Sequence, residues 1–485
     1  MSLTWTLKID WDGDGTPEDA GDGARISMLT VSRGRRYWLS QDGVGFVAPD
    51  IGRMVATVQN YDGRYDPYNT SSPLYPNVRP GILFQLQVSD GSTTYDVMAG
   101  RIWDIKPRSR GAGLVTLEGV DGWRYLADAR VSTALQEGQT EAEILDLILD
   151  DVDWPTLWGR DIASGVDTID YWWADSKSAR SAIRELMGAT FGTAALLGDG
   201  KFRYKSRHTV TSSIATLTES DYYRPSLYVA QPWEVVRNKI TVHYYPRTLE
   251  AGVELWRAQD IPIIPAGGSL TLWASFSYDN ESCPAKNVVT PVATTDYTAN
   301  SKEDGTGTDM TSDISISMTA FSESAKLVIS NSASQDAYMT FLRVRGDAVA
   351  LLHAGKTESE DSTSEGKYGV RQFSVDEKWL QDANTAWDFA NYLRGGLSNP
   401  RPFLEMALRG QPSKQFGIDL EDKVHVTLSS RGIDDDFSVA HIEHRWLDHG
   451  GQVVETTLLL ESRMEMDSTY WRFPTTLGVS SRFAY

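Results

Sequence analysis

The chain has 485 residues, 41% of them hydrophobic and 11% aromatic, which is ample for packed interiors and excludes a disordered chain. At roughly 100–200 residues per domain it should hold about three or four. A formal net charge of -20 argues against wrapping nucleic acid or coating an anionic membrane as its bulk function, and one cysteine, Cys283, excludes an intramolecular disulfide. Packing therefore has to hold the fold, which is compatible with a reducing cytosol. The opening MSLTWTLKIDWDGDG has no basic start, and neither it nor any later stretch is apolar for long enough to span a bilayer. The expectation is a soluble protein without stable membrane insertion, leaving its cell by lysis or within a particle.

Residues 1–130 alternate apolar runs with Gly, Asp, Asn and Pro, predicting antiparallel strands near 4–9, 25–31, 55–59, 82–88, 94–102 and 113–120. Between the third and fourth lies a turn-rich tract carrying Tyr61, Tyr65, Tyr68 and Tyr75, flat amphipathic rings suited to a contact surface. The period then changes. Thr140 and Glu143 form a capping box ahead of Ile144, Leu145, Ile148 and Leu149, which share one helical face. A second helix follows from Ala179, Ala182, Ile183, Leu186 and Met187, with Ser178 as cap and Gly192 past its end. Residues 194–207 predict a hairpin turning at Gly198-Asp199-Gly200.

From 261 to 345 the composition shifts to Thr, Ser, Ala and Asn with short strands at 269–275, 314–318, 326–330 and 339–344, so this part looks inserted. Residues 358–366 predict a mobile acidic loop, 368–373 a strand, and 383–394 a helix burying Ala386, Trp387, Ala390 and Leu393 and stopping at Gly395-Gly396. The run from Gly81 has the layout of the run from Asp422: strand, polar turn, and a second strand entered by an aromatic, Tyr95 or Phe437. A further strand follows each, so two copies of one β unit are expected.

The predicted class is mainly β (α+β): two related antiparallel β-barrel-like domains, a small α/β segment and an inserted β-sandwich-like domain. The expected parts are a first β-barrel unit at 1–130, a helix-containing segment at 131–250, the insertion at 251–350, a return of the α+β segment at 351–400, a second β-barrel unit at 401–465, and an aromatic extension at 466–485. That extension carries Tyr470, Trp471, Phe473, Phe483 and Tyr485, too little chain for its own core. Such rings dock on a neighbour or fold back on their own domain.

Asn60, Asp62, Gly63, Arg64, Tyr65 and Pro67, then Ser72, Pro73, Leu74 and Tyr75, then Arg79, Pro80 and Gly81 together resemble the N-terminal domain of phage tail-tip and baseplate hub proteins. The helix, Gly192-Thr193-Ala194, strand, Asp199-Gly200, strand order resembles the same family. The resemblance implies a structural virion protein at the tail tip, made in the bacterial host cytoplasm. It implies a homotrimer whose six similar β units adapt six-fold tail rings to a three-fold tip and close the tail tube. The implied partners are the distal tail protein ring, the tape measure protein and tail fibre or tip proteins, with DNA passing through the lumen without specific binding.

Candidate chemistry is sparse, and the reading assigns no catalytic, cofactor or metal residues. Asp10, Asp12, Asp14 and Gly15 match the first half of a calcium loop, but Gly21 stands where the bidentate Glu is due, so an acidic turn is the plainer reading. His441, Glu443, His444 and His449 invite a metal, yet on a strand His441 and His444 face opposite ways. Cys283 has no histidine nearby in sequence, and Asp434, Asp435 and Asp436 suggest a solvated hairpin tip. Two alternatives stand beside the structural reading. One is receptor or glycan binding through Trp273, Tyr278 and Tyr297, which otherwise fill a small sandwich core. The other is a tail-associated cell-wall hydrolase, for which no further domain fits after the last strand.

Overall fold

A computed structural model of the chain describes residues 2–35, 49–107, 113–231 and 233–462. The aromatic extension expected at 466–485 lies outside them. The fold is mainly β, with strands outnumbering helical residues by about three to one at 46% against 16%.

The largest sheet has 12 strands. Six come from the N-terminal part: β1 (Thr4–Ile9), β2 (Ile26–Gly34), β3 (Arg53–Gln59), β4 (Leu83–Ser89), β5 (Thr94–Pro107) and β6 (Leu114–Val120). Six come from later in the chain: β7 (Ala215–Thr218), β8 (Tyr228–Ala230), β9 (Phe403–Arg409), β10 (Lys423–Leu428), β11 (Ile433–Trp446) and β12 (Val454–Ser462). The first set pairs in the order β1-β4-β5-β6-β3-β2, and the second in the order β7-β10-β11-β12-β9-β8. Both sets therefore have one topology, strand for strand. One difference is orientation, since β1 runs antiparallel to β4 and β7 parallel to β10.

The register is duplicated as well. A single row crosses five strands of the first unit through Leu83, Arg101, Val120, Arg53 and Ser32. Its counterpart runs through Lys423, Ser438, Glu461, Phe403 and Ala230. One residue beyond the row, both long strands carry a register shift against the next strand, between Ile102 and Asp104 and between Val439 and His441. Two residues before the row, Gly81 (φ 89°) and Glu421 (φ 61°) both turn left-handed, and their amides donate to the carbonyls of Ile102 and Val439 at 2.7 and 2.8 Å. Gly81 thus corresponds to Glu421, one residue from the Asp422 that the sequence pattern suggests.

Phe437 corresponds not to Tyr95 but to Gly100. It pairs with Val424, as Gly100 pairs with Phe84. A Cβ on Gly100 would lie 2.0 Å from the Val120 carbonyl oxygen, so the ring at this rung has to come from Phe84 in one unit and Phe437 in the other. Each unit encloses its own apolar core, around Leu7, Val31, Met54, Leu86 and Leu117 in the first and Leu404, Val426, Val439 and Leu458 in the second. Among the described residues neither unit closes on itself by strand pairing. The two join instead through β2 and β11 into one continuous sheet.

A third core gathers the helices: α1 (Gly122–Asp128), α2 (Glu141–Asp151) and α3 (Ala179–Thr190), and from later in the chain α5 (Ala383–Leu397). The capping box opens α2, with the Thr140 amide donating to Glu143 Oε2 at 2.8 Å and the Glu143 amide to Thr140 Oγ1 at 3.4 Å. Residues 358–366 do not form a loop. They finish the strand Gly355–Glu360 and start helix α4 (Ser362–Tyr368), whose cap Asp361 accepts from the Ser364 amide at 3.0 Å. The strand expected at 368–373 accordingly begins later, as Gln372–Asp376.

Helix α5 runs through Gly395 and Gly396 and stops at Ser398. Its buried stripe is Ala386, Phe389, Ala390, Leu393 and Leu397. Trp387, one position round the helix from Ala386, is 57% exposed rather than buried.

Residues 247–351 build a fourth core, with Leu255, Phe276, Leu327, Met339 and Val344 between a five-stranded and a three-stranded sheet. Cys283 lies buried in this core, where burial pushes its thiol up to about 11, far from a reactive thiolate. No helix among the described residues is long and apolar enough to cross a membrane.

Candidate assembly interface

The joint between the two β units sets what an interface in this sheet requires. Thr30, Val31, Ser32, Arg33 and Gly34 pair antiparallel with Arg445, His444, Glu443, Ile442 and His441, and the Arg35 amide donates to the Ala440 carbonyl at 2.8 Å. Gly34 (φ 101°) allows that approach, because a Cβ there would sit 2.2 Å from the same carbonyl oxygen.

Two arginines of β2's end cross into the second unit. Arg33 Nη1 lies 2.9 Å from Asp419, while Arg35 meets Glu421 at 2.5 Å and Glu461 at 3.2 Å. Arg35 and both glutamates are buried. Burial works to discharge the Arg35 guanidinium, but Glu421 and Glu461 outweigh it and hold its pKa above the ordinary value. A buried triad of this kind is costly to break from one side, since the Arg35 charge is lost to carboxylates that stay buried.

Equivalent edges elsewhere are open. Row matching sets residues 441–444 of β11, which receive β2, against residues 104–107 of β5. Among the described residues, no strand pairs with 103–107 on the side that carries β4. The counterpart of β2 is β8, the last strand of the path, with β9 on one side and, among the described residues, no strand on the other. Large rings stand exposed at both edges: Trp103 (49%) on β5, and Tyr228 (63%) and Trp233 (54%) on and beside β8. Exposed apolar groups on unpaired edges mark places where another chain adds.

The tyrosine tract is a second surface. Its backbone closes a turn at every third residue, the amides of Gly63, Asp66, Asn69, Ser72 and Tyr75 donating to the carbonyls of Asn60, Gly63, Asp66, Asn69 and Ser72 at 3.0–3.2 Å. Tyr65 is not on the surface as expected. It is buried and its hydroxyl donates to Asp22 at 2.5 Å, while Asp22 also accepts from Trp11 Nε1 and Arg64 Nε. That polar anchor fastens the tract to the first core and leaves Tyr61, Tyr68 and Tyr75 exposed.

Asp10 and Asp12 converge with Glu18, which the motif omits, whereas Asp14 turns away to accept from the Thr16 amide. Burial, followed by Asp12, Asp14 and Asp10, raises the Glu18 pKa. Asp10 already accepts from the amides of Gly13 and Gly15, as an acidic turn does.

His441 and His444 occupy different environments. Ser32 Oγ faces His441 Nε2 at 3.0 Å, and Thr456 Oγ1 faces His444 Nδ1 at 2.9 Å. Burial, then Arg33 and His441, push His444 down to about 3, so it is neutral. His449 Nδ1 lies 3.3 Å from the Ser27 carbonyl, away from the other two.

Asp434, Asp435 and Asp436 are not at a hairpin tip; they belong to β11 and pair with Thr427, Val426 and His425. His425 lies between Asp436 (2.9 Å) and Asp434 (3.0 Å), and these bonds raise its pKa. In the insertion Tyr297 is buried, its hydroxyl donating to the Ile314 carbonyl, and Tyr278 packs partly against the same core. Trp273 alone of the three is exposed, stacked on Phe321 at 5.6 Å and 26°.

No family model and no curated protein sequence matches the chain. Solved structures do. A tail protein from Neisseria meningitidis MC58 aligns with TM-score 0.51 and 10% identity over 95% of this chain and 97% of that one. The tail protein of prophage MuSo2 from Shewanella oneidensis gives 0.49 and 12% over 94% and 98%, and a prophage tail protein from Listeria monocytogenes EGD-e gives 0.44 and 10% over 96% of each. The Neisseria alignment extends over nearly the whole of both chains, and on that basis this chain shares the fold of that protein.

Proposed function

We propose that the chain is a structural subunit of a phage tail or tail-like particle. In this reading it is a homotrimeric hub at the tail tip that closes the tube and adapts six-fold tail rings to a three-fold tip. The observation that carries the reading is the duplicated six-strand unit. Three chains with two matched units each present six near-equivalent units in a ring.

The fold shared with a tail protein supports the setting. The net charge of -20 suits a subunit beside a DNA channel, where a negative wall repels the passing duplex. The exposed rings of Tyr61, Tyr68 and Tyr75 suit contacts with the distal tail protein ring, the tape measure protein or tip proteins. The role is non-enzymatic, and digestion of murein by the purified protein would overturn that.

Light scattering on purified protein tests the stoichiometry. A mass three times that of the 53.9 kDa chain is expected, with a ring at the tail tip in low-resolution images of the particle. A stable monomer or dimer would overturn the hub. A second reading, sugar binding by the insertion, rests on exposed Trp273 stacked on Phe321. Glycan-array binding by the full chain, lost in Trp273→Ala, would favour it.

A further inference from the structure

We propose that copies of this chain join head to tail by strand addition, with residues 229–231 at β8 of one copy lying antiparallel to residues 105–107 of β5 in the next. The inference deepens the ring reading above and rests on it, by naming the surfaces that make the ring and their occupant, a second copy.

The template is the joint already present within the chain. β2 adds to β11 at a place fixed by the register row and by the shift beside Ala440. The first unit repeats that address on β5, where the corresponding shift surrounds Trp103. The second unit repeats the incoming strand as β8, since Ser32 and Ala230 occupy the same place in the row. Carrying the pairs Val31·His444, Ser32·Glu443 and Arg33·Ile442 across gives Val229·Pro107, Ala230·Lys106 and Gln231·Ile105.

Both strands are unpaired on the required side among the described residues. A contact of this kind is heterologous: each copy uses two different edges, and repetition closes a ring when the rotation allows. Side chains agree with the placement. Trp103 stands at the shifted rung of β5 and Trp233 in the 3-10 turn that follows β8, two half-exposed indoles under Arg124 and Arg371 that the joint would cover.

Disulfide trapping in the full chain tests the register. In a Cys283→Ser background, Ala230→Cys/Lys106→Cys and Val229→Cys/Pro107→Cys sample two adjacent rungs, one of which falls at the closely spaced kind of antiparallel pair. Ala230→Cys/Lys8→Cys is the wrong-edge control. Mild oxidation is expected to give covalent oligomers for at least one designed pair, ending at the copy number found by light scattering, and none for the control. Trp103→Glu, on an exposed side chain, is expected to keep the circular dichroism of the parent and lower the oligomer's mass to that of one chain.

An oligomer with no designed cross-link, or with equal cross-linking in the control, overturns the joint and leaves the ring reading standing. Monomers that never cross-link overturn both. Cross-linking that ends at a copy number other than three supports the joint and overturns the three-fold hub.

Discussion

The two β units share topology, register, a shifted rung and a left-handed residue, yet they differ in what their connections carry. The first is continuous from Thr4 to Val120, and its longest link displays the tyrosine tract. The second is interrupted between β8 and β9 by residues 231–402, which hold α4, α5 and the whole insertion. Its β8 has shrunk to three residues where β2 has nine. A fold tolerates so large an interruption because the connection leaves from an edge strand, where the ladder loses one side only and the core behind it is already closed by β9 to β12. The longer edge, β2, reaches its partner within the chain; the shorter one, β8, ends the sheet among the described residues.

Three experiments test how far the two units are matched. The largest effect is expected at the joint. Arg35→Met takes the Arg35 charge away from buried Glu421 and Glu461 and should cost about 3–5 kcal/mol in urea denaturation. A loss below about 1 kcal/mol would mean that backbone pairing alone holds the units together. Next come the paired rungs. Phe84→Ala and Phe437→Ala each remove the one ring of the rung, and each should cost about 3–5 kcal/mol. A full loss at one site with almost none at the other would show that matched register does not mean matched packing.

The third effect is spread over pH and distinguishes the exits of the units. Asp121, just past β6, is held up to about 7 by burial, which outweighs its bonds from the Gly52 and Trp123 amides and the pull of Arg33 and Arg180. Its counterpart past the row in the second unit is Ser462. The fold favours the protonated acid, so this contribution is complete below pH 3.8 and is lost as pH rises to about 7, at about 1.4 kcal/mol per unit. The stability of the parent minus that of Asp121→Asn, followed from pH 4 to pH 8, should fall and then level near pH 7. A flat difference would remove Asp121 from the account.

Local chemistry was the legible part of this chain. Alternation predicted the strands of the first unit, the Thr140 and Glu143 pair opened its helix as expected, and the Gly81 and Asp422 runs announced a repeat to within one residue. What sequence pattern missed depended on partners far along the chain. Trp387 fits a helical stripe as well as Phe389 does until the neighbouring elements decide which side is covered. Three adjacent aspartates suggest a turn, but His425, Lys423 and Ser213 compensate Asp434 and Asp436 well enough to keep them in a strand. Residues 358–366 look unstructured by composition, yet one capping carboxylate, Asp361, turns their second half into a helix. Glu18 joins Asp10 and Asp12 only because β1 and the chain after it bridge at Ile9 and Glu18. The β2 to β11 joint had no local signature, since it depends on which edges remain uncovered.

The chain of turns through residues 60–75 has a consequence for recognition. With its carbonyls and amides already tied to one another and Tyr65 locked beneath, this tract has surrendered its backbone freedom during folding. A surface that closes over Tyr61 and Tyr68 then has only two ring rotations to freeze rather than a wandering segment, so a modest contact area can hold firmly and release without unravelling what lies below.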